Sequence, residues 1–444
     1  METVSVRIIV LRACALGAVA AALWASSLRA QEPAAGARAE PVRGDTLVLS
    51  LAEAQRLALR QNPAFLAEGQ EAEIARGELR QARIYSFNPQ LELEAPGAGG
   101  GDNNELRLFQ EVEWAGQRGL RIRAAEAALR RAQHSVRDAA RLTLADVSHA
   151  FYAALAASRR LEVAEQILGL NEQLLEAVRI QAREGEISQL EANLMELEFG
   201  RARARVLAAR REATAAELDL KRLVGITPDR PVQLAAEVPP APDPSTLDQD
   251  SLLRAALSRR PDLAARSVAV EESRTLGRLA RREAIPNLRI GALAQLGDES
   301  GELRLGPAIG LSLPIWNRNQ GLVARREAEA RQAAFERSAA ELRIRKEVAD
   351  AYRAYIAASE EERVFERDVL EPARENQRLL TTAYQAGKID LPALLLLRNQ
   401  LLDAELGYWE TWLERRKALV DLESATAALD TPGAGTTRDT NDQR

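Results

Sequence analysis

Leu288-Arg-Ile-Gly-Ala-Leu-Ala-Gln-Leu296 and, past the turn Gly297–Gly301, Leu303-Arg-Leu-Gly-Pro-Ala-Ile-Gly-Leu-Ser-Leu313 decide the fold class. Leu288, Ile290, Ala292, Ala294 and Leu296 alternate with Arg289 and Gln295, and Leu293 falls on the polar side. Leu303, Leu305, Ile309, Leu311 and Leu313 alternate with Arg304, Gly306, Ala308, Gly310 and Ser312. A period of two places one residue set on each face of a sheet. The same pattern stands earlier in the chain. Leu91, Leu93 and Ala95 alternate with Gln90, Glu92 and Glu94. After Gly97–Asn104, Leu106, Leu108, Val112 and Trp114 alternate with Glu105, Arg107, Glu111 and Glu113, although Phe109 and Gln110 reverse the order.

Segments of about ten residues, paired as hairpins with one apolar and one polar face, fit the strands of a transmembrane β-barrel. Leu91, Leu93, Leu106, Leu108, Leu288, Ile290, Leu303, Leu305, Ile309 and Leu311 are the predicted lipid-facing positions. One such hairpin reads equally well as a soluble cover over helices. Two at equivalent positions of an exported chain favour the membrane. Four strands cannot close a barrel, and an open edge in lipid leaves its amides unsatisfied. The strands must be pooled between chains. Two copies supply eight, too narrow for an open channel, and three supply twelve. The residues carry the reading as far as an obligate oligomer, with a homotrimer favoured and its strands in membrane lipid.

The rest of the chain is helical in composition. Of 444 residues, 28% are charged and 4% aromatic, which favours long helices over a compact α/β enzyme. A net charge of −5 lacks the basic face that nucleic acid requires. Residues 1–30 read as a signal peptide: Arg7 and Arg12, an apolar run from Ala13 to Ala25, then small residues with cleavage placed after Ala30. Its loss removes three arginines and one glutamate and leaves a net charge of −7. Cys14, the one cysteine, leaves with it; Arg12 beside it and the short apolar stretch before it disfavour a lipid anchor.

The chain is written twice. Ala54–Pro63 aligns with Leu252–Pro261, Asn88-Pro89-Gln90-Leu91 with Ile285-Pro286-Asn287-Leu288, and Trp114-Ala-Gly-Gln117 with Trp316-Asn-Arg-Asn-Gln320. Ala156-Ala157-Ser158 and Gly185-Glu-Ile187 recur as Ala357-Ala358-Ser359 and Gly387-Lys-Ile389. The predicted order is a flexible segment over 31–46, a first repeat over 47–226, a Pro-rich linker over 227–247, a second repeat over 248–430 and a disordered tail over 431–444. Each repeat opens with a helical stretch (about 50–84 and 248–283) and continues through its hairpin. A very long helix (about 117–183 and 319–386) and a shorter one (about 188–224 and 390–428) follow. Leu144, Val147, Phe151, Ala154, Ser158, Leu161 and Leu168 form a heptad-like seam along the first long helix.

Catalytic chemistry has no visible carrier. His134 and His149 lie about four helical turns apart and cannot share a metal. Gly97–Gly101 lacks the strand-to-helix context of a phosphate loop. The carboxylates follow helical salt-bridge spacing, with no nucleophile beside a base. The predictions are no enzyme, no cofactor and no resident metal site.

From Leu49 to about Leu429 the chain resembles the TolC-type outer-membrane efflux family. Glu113-Trp114-Ala-Gly-Gln-Arg118 and Leu313-Pro314-Ile-Trp-Asn-Arg-Asn-Gln-Gly321 resemble the branch serving cobalt–zinc–cadmium efflux. The resemblance implies a mainly α fold with a small β part: a twelve-helix periplasmic α-barrel joined to a twelve-stranded barrel in the outer membrane. It implies a periplasmic adaptor and an inner-membrane pump of the resistance-nodulation-division class as partners. The exported solutes would be divalent heavy-metal cations, the alternatives being a multidrug or type I secretion channel, or an exported coiled-coil scaffold. Adaptor docking maps to two helix tips, Arg183, Gly185, Ile187 and Ser188 and then Tyr384, Gly387, Lys388, Ile389 and Asp390. Gly185 and Gly387 suit the left-handed end of a helix, Ser188 and Asp390 the start of the next. The acidic pore ring of the best-known members does not carry over, because Ala393 and Leu396 align there. A constriction here would be apolar or built from Tyr384, Lys388 and Asp390.

Overall fold

The computed structural model describes residues 46–94, 104–296, 303–386 and 388–428. The signal segment, Cys14, residues 31–45, most of both hairpin turns, Gly387 and the tail 431–444 lie outside the described residues. All elements below belong to the unit Leu47–Arg444. The first half runs β1 (Leu47–Leu49), α1 (Leu51–Gln61), α2 (Pro63–Arg83), β2 (Gln90–Glu94), β3 (Asn104–Val112), α3 (Gln117–Glu184) and α4 (Gln189–Val224). After β4 (Val232–Leu234) and a short 3-10 turn at Pro244–Thr246 come α5 (Gln249–Arg259) and α6 (Pro261–Glu283). The second half continues with β5 (Leu288–Leu296), β6 (Leu303–Leu311), α7 (Gln320–Phe365), α8 (Glu371–Gln385) and α9 (Leu391–Ala425).

Each predicted opening stretch is two helices, broken before a proline. Asn62 and Arg260 precede Pro63 and Pro261 and take extended backbone, as proline's ring demands of its predecessor. Both residues then reach the closing helix of their own half. Asn62 Nδ2 donates to Leu223 O at 2.8 Å, and Arg260 Nη1 donates to Ala425 O at 3.3 Å. Arg260, 3% exposed, also pairs with Asp262 at 2.8 Å and Glu347 at 2.5 Å. Arg141 caps the same helix end, donating to Ser424 O at 2.9 Å.

Helix α3 spans 68 residues, about 100 Å at ~1.5 Å per residue, and packs against α4, α6 and α2. Leu144, Val147, Phe151 and Ala154 of the predicted seam are buried, the last three in one cluster with Tyr152, Trp412 and Val420. Further along, the buried stripe moves to Ala157, Ala164, Ile167, Asn171, Leu175 and Val178, leaving Ser158, Leu161 and Leu168 half-buried. A helix of 3.6 residues per turn drifts out of a strict heptad over that length.

The second long helix departs from the expected single stretch over 319–386. A π-turn at Glu366–Leu370 separates α7 from α8, just before Pro372. Proline removes a donor and crowds the carbonyl four residues back, and the wider turn relieves that conflict. The Pro-rich linker is also more than a spacer. β4 pairs in parallel with β1, Leu47 opposite Val232, and the Pro242 carbonyl accepts from Tyr355 Oη at 2.5 Å.

Candidate channel wall and helix tips

Strands β2, β3, β5 and β6 form one antiparallel sheet in that order, so β2 and β6 are its edges. The register aligns the apolar residues into a single face. Leu91 stands opposite Leu108, Leu93 opposite Leu106, Leu108 opposite Ala292, Ile290 opposite Ile309, and Leu288 opposite Leu311. Nine of the ten predicted lipid-facing side chains are exposed, Leu305 and Ile309 to 74%; Leu288 is half-buried. Soluble proteins rarely leave so continuous an apolar surface uncovered.

The opposite face is polar and internally paired. Arg289 reaches Glu92 across the sheet at 3.1 Å, and Arg107 meets Glu105 at 2.7 Å and Glu94 at 3.5 Å. Phe109, which broke the sequence pattern, lies on this face with the Arg289 guanidinium 4.5 Å from its ring centre. Its ring covers Gly291, where an added Cβ would stand 2.5 Å from Phe109 Cδ1 and 2.4 Å from Leu108 O. Glycine is required there by the close approach of the neighbouring strand. Gln110 lies on the apolar side near the strand's end, its amide donating to Phe87 O at 2.9 Å. Both exceptions are therefore accommodated without a change of register.

The far ends of the long helices bring the two predicted tips together. Gly185 takes the left-handed conformation (φ 78°), and Glu186 N donates to Gln181 O at 2.9 Å, closing the end of α3. Ser188 opens α4 with a reciprocal cap: its hydroxyl accepts from Glu191 N at 3.2 Å, and its own N–H donates to the Glu191 carboxylate at 2.9 Å. Asp390 caps α9 by accepting from Ala393 N at 2.9 Å. Ile187, Tyr384 and Ile389 pack on one apolar cluster with Val178, Met195 and Leu394. Arg183, Ser188, Lys388 and Asp390 are exposed around it, as is Leu396 at the position aligned with the pore ring; Ala393 is half-buried. Glu191 was not predicted as a tip residue, although Ser-x-x-Glu is a legible capping signal. The Ser188 N–H and hydroxyl hold its carboxyl below the usual range, while burial and the Glu191 charge raise the Tyr384 phenol.

The two histidines stay apart. His149 contacts Asp421 at 2.9 Å, and burial followed by Arg137 and Arg130 lowers the titration of His134. Among the described residues no group of three or more His, Cys, Asp or Glu could hold a metal ion, and no helix is long and apolar enough to cross a membrane.

The family profile described as outer membrane efflux protein matches residues 54–226 and 252–428. The cobalt-zinc-cadmium resistance protein CzcC of Cupriavidus metallidurans is 22% identical over 364 residues, covering 81% of this chain and 85% of that protein. The Campylobacter jejuni CmeC outer membrane channel superposes with a TM-score of 0.72 at 14% identity, over 86% of this chain and 87% of that one. CusC, whose structures describe folding and transmembrane channel formation, superposes with a TM-score of 0.67 at 17% identity, over 86% and 93%. With an efflux-protein match across both halves and the same fold in solved channels, this chain belongs to the outer membrane efflux protein family.

Proposed function

We propose that the protein is the passive outer-membrane conduit of a tripartite efflux system for divalent heavy-metal cations. Three copies pool their four-stranded sheets into a twelve-stranded barrel, and their long helices form an α-barrel in the periplasm. The single observation that carries this is the sheet itself: one exposed apolar face, one paired polar face and two free edges. An apolar exterior suits lipid, a polar lining suits water, and closure satisfies the edges. Lateral packing of copies is supported by α4, where Leu190, Leu197 and Leu218 are exposed at whole-heptad intervals. The repeats over 47–226 and 248–430, joined through 227–247, are the proposed structural units.

The tips carry the proposed docking site for a periplasmic adaptor, which links the channel to an inner-membrane pump of the resistance-nodulation-division class. Arg183, Gly185, Ile187 and Ser188 supply one tip, and Tyr384, Lys388, Ile389 and Asp390, with Gly387, the other. The pump supplies energy and selectivity; a wide aqueous tube needs no ligands to pass a hydrated cation. The cation reading leans on the similarity to CzcC.

Deleting the gene tests the substrate class. Sensitisation to zinc, cadmium or cobalt is the expected result, with His134→Ala combined with His149→Ala having no effect. Sensitivity to dyes and detergents alone assigns the protein to multidrug efflux. Gly185→Pro tests the tip, because proline cannot adopt its positive φ. Assembly should survive while adaptor crosslinking and resistance are lost, and normal export by this variant contradicts the docking role.

A further inference from the structure

We infer that Gln320 is an intersubunit clasp: its side-chain amide grips Asn88 and Gln90 of a second copy, at the junction where β6 of one chain meets β2 of the next. The inference rests on the three-copy reading above. Its template lies inside the chain, at the junction between β3 and β5. There Gln117, 2% exposed, opens α3 after Gly116 in left-handed conformation (φ 80°). Gln117 Oε1 accepts from Ala115 N at 3.0 Å, which fixes the amide. Its Nε2 reaches Asn287 Oδ1 at 3.2 Å and Ile285 O at 3.3 Å, on the segment that enters β5. Trp114 adds a bond from Nε1 to Pro286 O at 2.9 Å. The turn that leaves one strand thus holds the turn that enters its neighbour.

The same local structure follows β6. Asn319 is left-handed (φ 58°), Gln320 opens α7, and Gln320 Oε1 accepts from Arg318 N at 2.7 Å. But β6 is an edge, and among the described residues no entering segment stands beside it. Gln320 Nε2 instead folds back onto Trp316 O at 3.1 Å, its side chain exposed, and Trp316 itself is 85% exposed. The repeat supplies the counterpart: Asn88-Pro89-Gln90 matches Ile285-Pro286-Asn287, with Gln90 offering a side-chain carbonyl where Asn287 does. All three of these residues are exposed and lead into β2, the opposite edge of the sheet. Three strand spacings of about 4.8 Å put the two edges of one chain roughly 14 Å apart. A glutamine amide cannot cross that distance, so the partner is another copy of this chain.

Cys14 is the one cysteine of the sequence, and with it replaced by alanine an introduced cysteine pair reports cleanly. Gln320→Cys with Gln90→Cys, in full-length protein in outer-membrane preparations, is treated with a short bismaleimide. Dimer and trimer bands at least ten-fold above either single variant are expected on denaturing gels. Gln320→Ala should lower the temperature at which the oligomer separates while leaving the helical melting of the chain unchanged. A trimeric native mass without the crosslinked bands, or crosslinks confined to one chain, overturns the clasp and leaves the three-copy reading standing. A monomeric native mass overturns both.

Discussion

Arg260 is the residue on which the second half closes. Its guanidinium is buried with Asp262 and Glu347 and also holds the end of α9 through Ala425 O. Arg260→Ala withdraws that guanidinium from Ala425 O, Glu347 and Asp262 and leaves Asp262 to Arg343 at 3.2 Å, so it should cost about 2 kcal/mol and lower the melting temperature of the detergent-solubilised protein. Burial alone would raise the Asp262 carboxyl, but hydrogen bonds and charge from Arg260 outweigh it and leave it below the ordinary value. A depressed carboxyl stabilises the fold above its unfolded pKa of about 4, and that contribution is lost as pH falls through the folded value. Asp262→Asn should therefore be less stable than the parent at pH 7, with the gap narrowing in acid. An equal gap at both pH values contradicts the assignment. The Arg260-Pro261 match to Asn62-Pro63 was legible in sequence, but the expected single helical stretch ran through each proline and missed the break it causes. The partner carbonyls were not legible, since they lie 165 and 161 residues away and only packing brings them near.

At the scale of elements, the strands were legible because a period of two survives every substitution that keeps side-chain character. Phe109, Gln110 and Leu293 looked like errors in that pattern. Phe109 shields Gly291, and Leu293 sits over Gly306 on the same face, 3.9 Å from a Cβ placed there. Cross-strand pairing of large with small residues is invisible until register is known. Ile290→Arg should block outer-membrane assembly, at ~2–4 kcal/mol for an arginine near the bilayer midplane. Arg289→Ala, one residue away on the polar face, should assemble normally by heat-modifiable gel migration; equal tolerance of the two contradicts the barrel. Gly291→Val should disrupt the β3–β5 pairing, because its side chain meets Leu108 O and the Phe109 ring. The π-turn in the second long helix was missed, although Pro372 announced an interruption. Ser188→Ala removes the hydroxyl half of the cap at the start of α4, leaving the backbone N–H on the Glu191 carboxylate, and should cost ~1 kcal/mol, seen as faster proteolysis at the tip.

For the whole molecule, the uncovered surfaces that bear on assembly include, among the described residues, the sheet's edges and apolar face and the leucine stripe of α4. Leu197→Glu places charge in that stripe and should weaken the oligomer without unfolding the chain, measured as a fall in native mass at unchanged helicity. The exposed sheet face tests the central claim most directly. Spin labels placed singly at positions 288 to 296 of β5, a strand paired on both sides, sample both faces in turn. In outer-membrane vesicles, labels at Ile290, Ala292 and Ala294 should be accessible to oxygen dissolved in lipid. Labels at Arg289, Leu293 and Gln295 should instead be accessible to a water-soluble nickel chelate. A two-residue oscillation between the probes is the predicted result, and uniform access to nickel along the whole strand contradicts the channel.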